Sequence, residues 1–207
     1  KYLNIFKDKK INILEIGTWK GASVAAFYHY FKKAIIFCID KNFKFQFKSN
    51  RVNFFKCDTE KFNEVNDFNN YLKGKKIDYF DVIIDDGSHK YQDILNNFQR
   101  FFKRIKTGGY YIIEDFKHHK LHPNYANDAP SNSTDIDEIL LKTKGLNILT
   151  VSDLRGFAQK GGSVQLYFLG RNLKIIINID AMKEKHFRVN NRLIRVSEIL
   201  KGEDDDK

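Results

Sequence analysis

The run Ile11-Asn12-Ile13-Leu14-Glu15-Ile16 ends on Gly17, and Gly21 follows Thr18-Trp19-Lys20 just before a helical pattern opens near Ala22. A strand that turns on glycines straight into a helix opens an α/β unit, because glycine lets the chain turn sharply and approach another group closely. The alternation recurs and predicts a doubly wound, largely parallel sheet closed by a hairpin. A first helix is expected over Ala22–Lys33, a second strand over Ala34–Ile39 ending at Asp40, and a third over Val52–Cys57. Thr59–Leu72 reads as a polar, exposed helix. Phe80–Asp85 is a fourth strand, and Tyr91–Ile105 a helix with Ile94, Leu95, Phe98, Phe101 and Phe102 on one face. Gly108-Gly109 turns into a fifth strand, Tyr110–Glu114. His118–Ser133 reads as loop and Asp135–Lys144 as helix, while Leu146–Gly162 fits strand or helix equally. Val164–Leu169 and Leu173–Ile179 flank Gly170-Arg171-Asn172 as a β-hairpin.

At 207 residues with 42% hydrophobic content and two prolines, one domain over residues 1–207 is expected, with the acidic tail at 203–207 frayed. The chain begins at Lys1 rather than Met, which leaves room for upstream residues. No apolar run approaches the roughly 18 residues of a membrane span. Cys38 and Cys57 each sit in an apolar, strand-like run and read as buried thiols, so a cytoplasmic protein is expected. The net charge of +10 comes from lysines scattered along the whole chain, which argues against a nucleic-acid partner. Nothing selects an oligomeric state, and a homo-oligomer is compatible with the sequence.

Ligands of open α/β sheets bind beyond the carboxyl ends of the strands. Gly17, Thr18 and Gly21 line the first such end, and Asp40, about 20 residues on, is placed to accept two ribose hydroxyls. Asp58, ending the third strand, falls near an adenine edge. A nicotinamide dinucleotide site would need G-x-G-x-x-G, and the second glycine is replaced by Trp19, which blocks close approach of a pyrophosphate. S-adenosylmethionine (SAM) has no pyrophosphate and carries an ammonium group, for which Glu15 is the partner at hand. Glu15, Gly17 and Gly21 resemble methyltransferase motif I in the form E-x-G-x-x-x-G. The bland alternative is a bare strand–turn–helix glycine loop, which Asp40 weakens.

The fourth strand ends Asp85-Asp86-Gly87-Ser88-His89 and the fifth ends Glu114-Asp115. Neighbouring strands thus deliver four carboxylates and a histidine to one rim, a charge that needs a cation or protons to compensate it. Oxygen ligands without cysteine suit Mg²⁺ or another hard divalent cation. Helix capping explains one or two such residues, not four.

These segments, with Ile13–Gly21 and Gly108-Gly109-Tyr110, resemble the macrocin- and mycinamicin-type sugar O-methyltransferases and the cephalosporin hydroxylase-like proteins grouped with them. The resemblance covers about Ile11 to Asp115. It implies a Rossmann-like, mostly parallel seven-stranded sheet ending in an antiparallel hairpin. It also implies Asp86, Glu114 and Asp115 as metal ligands, His89 as general base, and Asp85 on the cofactor side. The expected activity is SAM-dependent, metal-assisted methylation of a hydroxyl on a sugar or glycosylated small molecule. A catechol or other small diol is the alternative acceptor, and RNA a more distant one, since Asp85-Asp86-Gly87-Ser88 stands where base N-methyltransferases often carry Asn-Pro-Pro-aromatic. Two features depart from the family: only ten residues precede Ile11, and His118, His119 and His122 fill the loop after Asp115. That loop, with Tyr125, Asn127 and Asp128, reads as a substrate lid rather than a zinc site.

Overall fold

The computed structural model describes residues 2–45, 47–114 and 135–202, and the chain divides into two compact units, Lys1–Phe116 and Lys117–Lys207. In the first unit β1 (Asn12–Ile16), β2 (Ile35–Asp40), β3 (Val52–Lys56), β4 (Phe80–Asp85) and β5 (Ile105–Ile113) form an all-parallel sheet of order β3-β2-β1-β4-β5. The strands are apolar on both faces because helices cover both. Ile13, Ile36, Cys38, Val82 and Ile84 pack with Val24 and Phe31 on one side. Leu14, Ile16, Phe37, Ile39 and Ile83 pack with Val65, Phe68, Leu72 and Phe101 on the other. Both cysteines are free and buried, as expected. The order reverses at β1–β4, and this places the carboxyl ends of β1, β2 and β4 around one crevice.

The connecting helices are α1 (Ala22–Tyr30), α2 (Phe62–Gly74) and α3 (Tyr91–Phe101). Helix α1 stops three residues short of the expected Lys33, since Phe31 leaves helical geometry at φ −97°, ψ 86°. The reading of Thr59–Leu72 as polar and exposed is corrected: α2 buries Val65, Phe68 and Leu72, one stripe at helical spacing that the surrounding Asn, Asp and Lys residues mask. Helix α3 buries Ile94, Leu95, Phe98 and Phe101, and a 3₁₀ turn over Phe102–Arg104 leads into β5. Strand β5 begins earlier than Tyr110. Phe80 pairs with Ile105 and Val82 with Tyr110, so residues 106–109 are accommodated in a bulge.

The second unit holds α4 (Asp135–Thr143), β6 (Val151–Ser152), β7 (Val164–Leu169), β8 (Asn172–Asn178), α5 (Ile179–Glu184), α6 (Asn191–Ile194) and β9 (Glu198–Leu200). Strands β7 and β8 form the expected hairpin, turning on Gly170-Arg171, with Gly170 at φ +63°. Among the described residues the parallel sheet holds five strands, and the expected seven-stranded sheet is not seen. The hairpin belongs to a separate sheet of order β6-β7-β8-β9, because β6 occupies the free edge of β7 and β9 that of β8. No helix among the described residues is long and apolar enough to cross a membrane. The tail at 203–207 lies outside the described residues.

Candidate active site

The crevice is built on backbone contacts. Gly17 takes φ +88°, and its N–H donates to the Ile39 carbonyl at 2.9 Å. A Cβ at this position would lie 2.2 Å from the Asp86 carbonyl oxygen, so only glycine fits. The Asp86 N–H donates in turn to the Ile16 carbonyl at 2.9 Å, and the Glu114 N–H to the Asp85 carbonyl at 2.9 Å. The ends of β1, β4 and β5 are thereby laced together, with the glycine turn against the Asp86 loop. Gly21 caps α1 at φ +72°, and the ring of Phe45 fills the space its side chain would take.

Glu15 is wholly buried in β1, and neither carboxylate oxygen has a hydrogen-bond partner; the buried Thr18 hydroxyl is also unmatched. Burial holds the Glu15 carboxyl above the usual carboxylate range. The nearby hydroxyls of Ser23 and Thr18 oppose the rise without closing a bond that satisfies it, and the charges of Asp86 and Glu114 add to it. An orphaned buried carboxylate is costly, and a cationic ligand group is one way to compensate it. Asp40 is held from both sides: Oδ2 accepts from the Trp19 N–H and Oδ1 from the Asn42 N–H, each at 2.7 Å. Each oxygen retains capacity for a further donor. Asp58 stands at the end of β3, where Oδ1 accepts from the Glu60 N–H at 3.2 Å and Oδ2 lies 3.6 Å from Lys61 Nζ. With Lys41, Asn42, Lys56, Lys61 and Glu64 it lines an open cavity of about 560 Å³.

On the opposite rim Asp85 is buried, with Oδ1 accepting from Asn97 Nδ2 at 3.2 Å and Oδ2 unmatched. Burial pushes its pKa up to about 7, against the pull of Asn97 and the Gly87 N–H. The Tyr111 hydroxyl, also out of solvent, has its pKa raised by burial and by the Asp85 charge. His89 adopts φ +58°, and its Nε2 lies 3.7 Å from Asp86 Oδ1. Ser88 Oγ donates to Asp93 Oδ2 at 2.5 Å and accepts from the Lys90 N–H, fixing the turn that carries His89. Glu114 is exposed at the end of β5. Asp115, His118, His119, His122, Tyr125, Asn127 and Asp128 lie outside the described residues, and no group of three or more potential metal-ligating side chains occurs among the described ones.

A family described as a methyltransferase domain matches residues 14–116, from the glycine turn through β5. This segment is a methyltransferase domain. Demethylmacrocin O-methyltransferase of Streptomyces fradiae is 24% identical to the chain over 147 residues, 67% of the chain and 35% of that protein. L-olivosyl-oleandolide 3-O-methyltransferase of Streptomyces antibioticus is 29% identical over 124 residues, 56% of the chain and 30% of that protein. The chain thus spans about a third of the length of these curated relatives. Among solved structures, MycE methyltransferase from the mycinamycin biosynthetic pathway, in complex with Mg, SAH and mycinamycin VI, superposes with a TM-score of 0.57 at 20% identity. That alignment covers 70% of the chain and 39% of MycE, a likeness of fold. Residues 119–198 match a different family, described as YfiR/HmsC-like.

Within the methyltransferase domain the sequence reading assigned no role to Asn97, Tyr111 and Phe45. Asn97 had a signal, a polar residue on the buried stripe of α3 among Ile94, Phe98 and Phe101. Phe45 had none, since its neighbour is fixed only by how the chain after β2 folds back.

Proposed function

We propose that the chain is a SAM-dependent, divalent-metal-assisted O-methyltransferase acting on a hydroxyl of a sugar or glycosylated small molecule. The observation that carries the reading is the close contact between the glycine turn and the Asp86 loop, which sets a cofactor cradle beside a carboxylate rim. The described residues suit the cofactor, and the carboxylates of Asp86 and Glu114 are donors of the type a hard cation takes. Gly17 lets the Asp86 loop close against the turn, and the buried Glu15 carboxylate, unmatched on both oxygens, suits the ammonium end of SAM. Asp40 has remaining acceptor capacity for ribose hydroxyls, and Asp58 stands toward the adenine end. Asp86 and Glu114, whose charges both bear on Glu15, would hold a hard cation together with Asp115.

The cofactor supplies an electrophilic methyl group, and a bound cation lowers the pKa of the acceptor hydroxyl. The chain's own task is then to orient the acceptor and take its proton. His89 is the base in this reading, with Nε2 facing Asp86 Oδ1 at 3.7 Å. The curated relatives named for O-methylation of glycosylated compounds support a sugar-bearing acceptor. Two buried, unbridged thiols accord with a reducing, cytoplasmic setting.

Calorimetry tests the cofactor part. SAM and its product S-adenosylhomocysteine (SAH) are expected to bind and NAD is not, with Asp40→Ala weakening SAM by roughly 10- to 100-fold. Equal SAM affinity in that variant removes Asp40 from the site. For the metal, chelation with EDTA should abolish methyl transfer and Mg²⁺ restore it, while Glu114→Gln lowers Mg²⁺ affinity and leaves SAM binding intact. Full transfer after exhaustive chelation would refute the metal role.

A further inference from the structure

Trp19 is the sole tryptophan of the chain and occupies the middle of the glycine turn at φ +44°. For a bulky side chain this left-handed geometry is an outlier that other contacts must sustain. They do so through the backbone: the Trp19 N–H donates to Asp40 Oδ2 at 2.7 Å, and its carbonyl accepts from the Lys44 N–H at 3.1 Å. The indole gains little burial in return, being 58% exposed. What it does have is a cation. Lys20 Nζ lies 4.4 Å from the ring centroid, and among the described residues Lys20 has no carboxylate partner.

We propose that the indole face of Trp19 is a cation site for the sulfonium of SAM, held by the Lys20 ammonium until the cofactor arrives. The inference rests on the cofactor reading above. Asp40, the residue assigned to the ribose, is hydrogen-bonded to Trp19 itself, and in SAM the sulfonium is one methylene away from that ribose. An aromatic face attracts cations through its quadrupole, and tryptophan does so best. SAM and SAH differ by the methyl group and its positive charge, so the indole favours the methyl donor over the spent product. Lys20, exposed and flexible, leaves the face at small cost. The strain at Trp19 then has a use, which is to keep a large π face where a glycine would leave a gap.

Because Trp19 is the only indole, intrinsic fluorescence reports on this site alone. Titration with SAM, or with sinefungin, its amine analogue that keeps the positive charge, is expected to quench the emission, and SAH to do so far less. By calorimetry, the SAM-to-SAH affinity ratio should fall roughly three- to tenfold in Trp19→Leu, with Trp19→Phe intermediate. Trp19→Gly, which removes the strain and keeps the fold, should match Trp19→Leu. Lys20→Met should tighten SAM and leave SAH unchanged. An unaltered ratio in the Leu and Gly variants, with both ligands still bound, overturns the proposal. So does quenching by a glycoside acceptor but not by SAM, which would make the indole a platform for the sugar. If the wild-type protein binds neither SAM nor SAH, the cofactor reading itself fails, and this inference with it.

Discussion

His89 combines two properties that rarely coincide in a structural residue. Its backbone sits at φ +58°, and its imidazole faces a carboxylate on the rim where acceptor and cation are proposed to meet. Non-glycine residues held in that region cost on the order of 1 kcal/mol and concentrate at functional sites. His89→Ala is expected to lower methyl transfer by roughly 10²–10⁴-fold while SAM and Mg²⁺ affinities stay near wild type. A wild-type rate on the true acceptor would make His89 a turn residue and nothing more. At this scale the sequence was informative wherever a residue's neighbours are its own chain neighbours. Gly17, Asp40, Asp85 and Asp86 all stand at strand ends that apolar runs announce. Tyr111 and Phe45 owe their positions to side chains far along the chain, and no local pattern carries that information.

Strands proved more legible than helices, for a physical reason. Strands buried on both faces are continuous apolar runs that stand out against a lysine-rich chain, whereas α2 buries only Val65, Phe68 and Leu72 in a helix otherwise mostly polar. Phe68 is fully buried and rings with Phe55, Tyr71 and Phe101, so α2 is an anchored layer of the domain. Phe68→Ala should cost about 3–5 kcal/mol of stability by chemical denaturation. A loss under about 1 kcal/mol would return α2 to the solvated surface that its composition suggests. The hairpin β7–β8 was legible too, while its sheet was not, since β6 and β9 are two and three residues long and carry no periodicity. The bulge at 106–109 was equally hidden: Gly109 packs where a Cβ would stand 2.7 Å from the Asp81 carbonyl, on another strand.

Taken whole, the chain carries its division in two ways that agree, since the compact units meet at residues 116 and 117 and the two matched families span 14–116 and 119–198. In the second unit one buried cation sets a pH dependence for the chain. Lys185 is buried, with Nζ donating to Thr150 Oγ1 at 3.3 Å, and burial lowers its pKa from 10.5. The folded state therefore disfavours the ammonium. The penalty is complete below the lowered folded pKa and vanishes as pH rises through 10.5. Lys185→Met is expected to stabilise the protein at pH 7, with a gain that shrinks toward pH 10; urea denaturation at both values measures it, and a constant gain would contradict the burial argument. The strand order β3-β2-β1-β4-β5 has a further consequence in time. Strand β1 lies at the centre of its sheet, yet its partner β4 begins at Phe80, more than sixty residues after β1 has ended. During synthesis the ribosome delivers β1, β2 and β3 first, and one edge of β1 waits unpaired until residues 80–85 emerge. Pairings this distant close slowly and leave apolar edges open to neighbours, so that interval is the one in which a nascent chain is most exposed to aggregation.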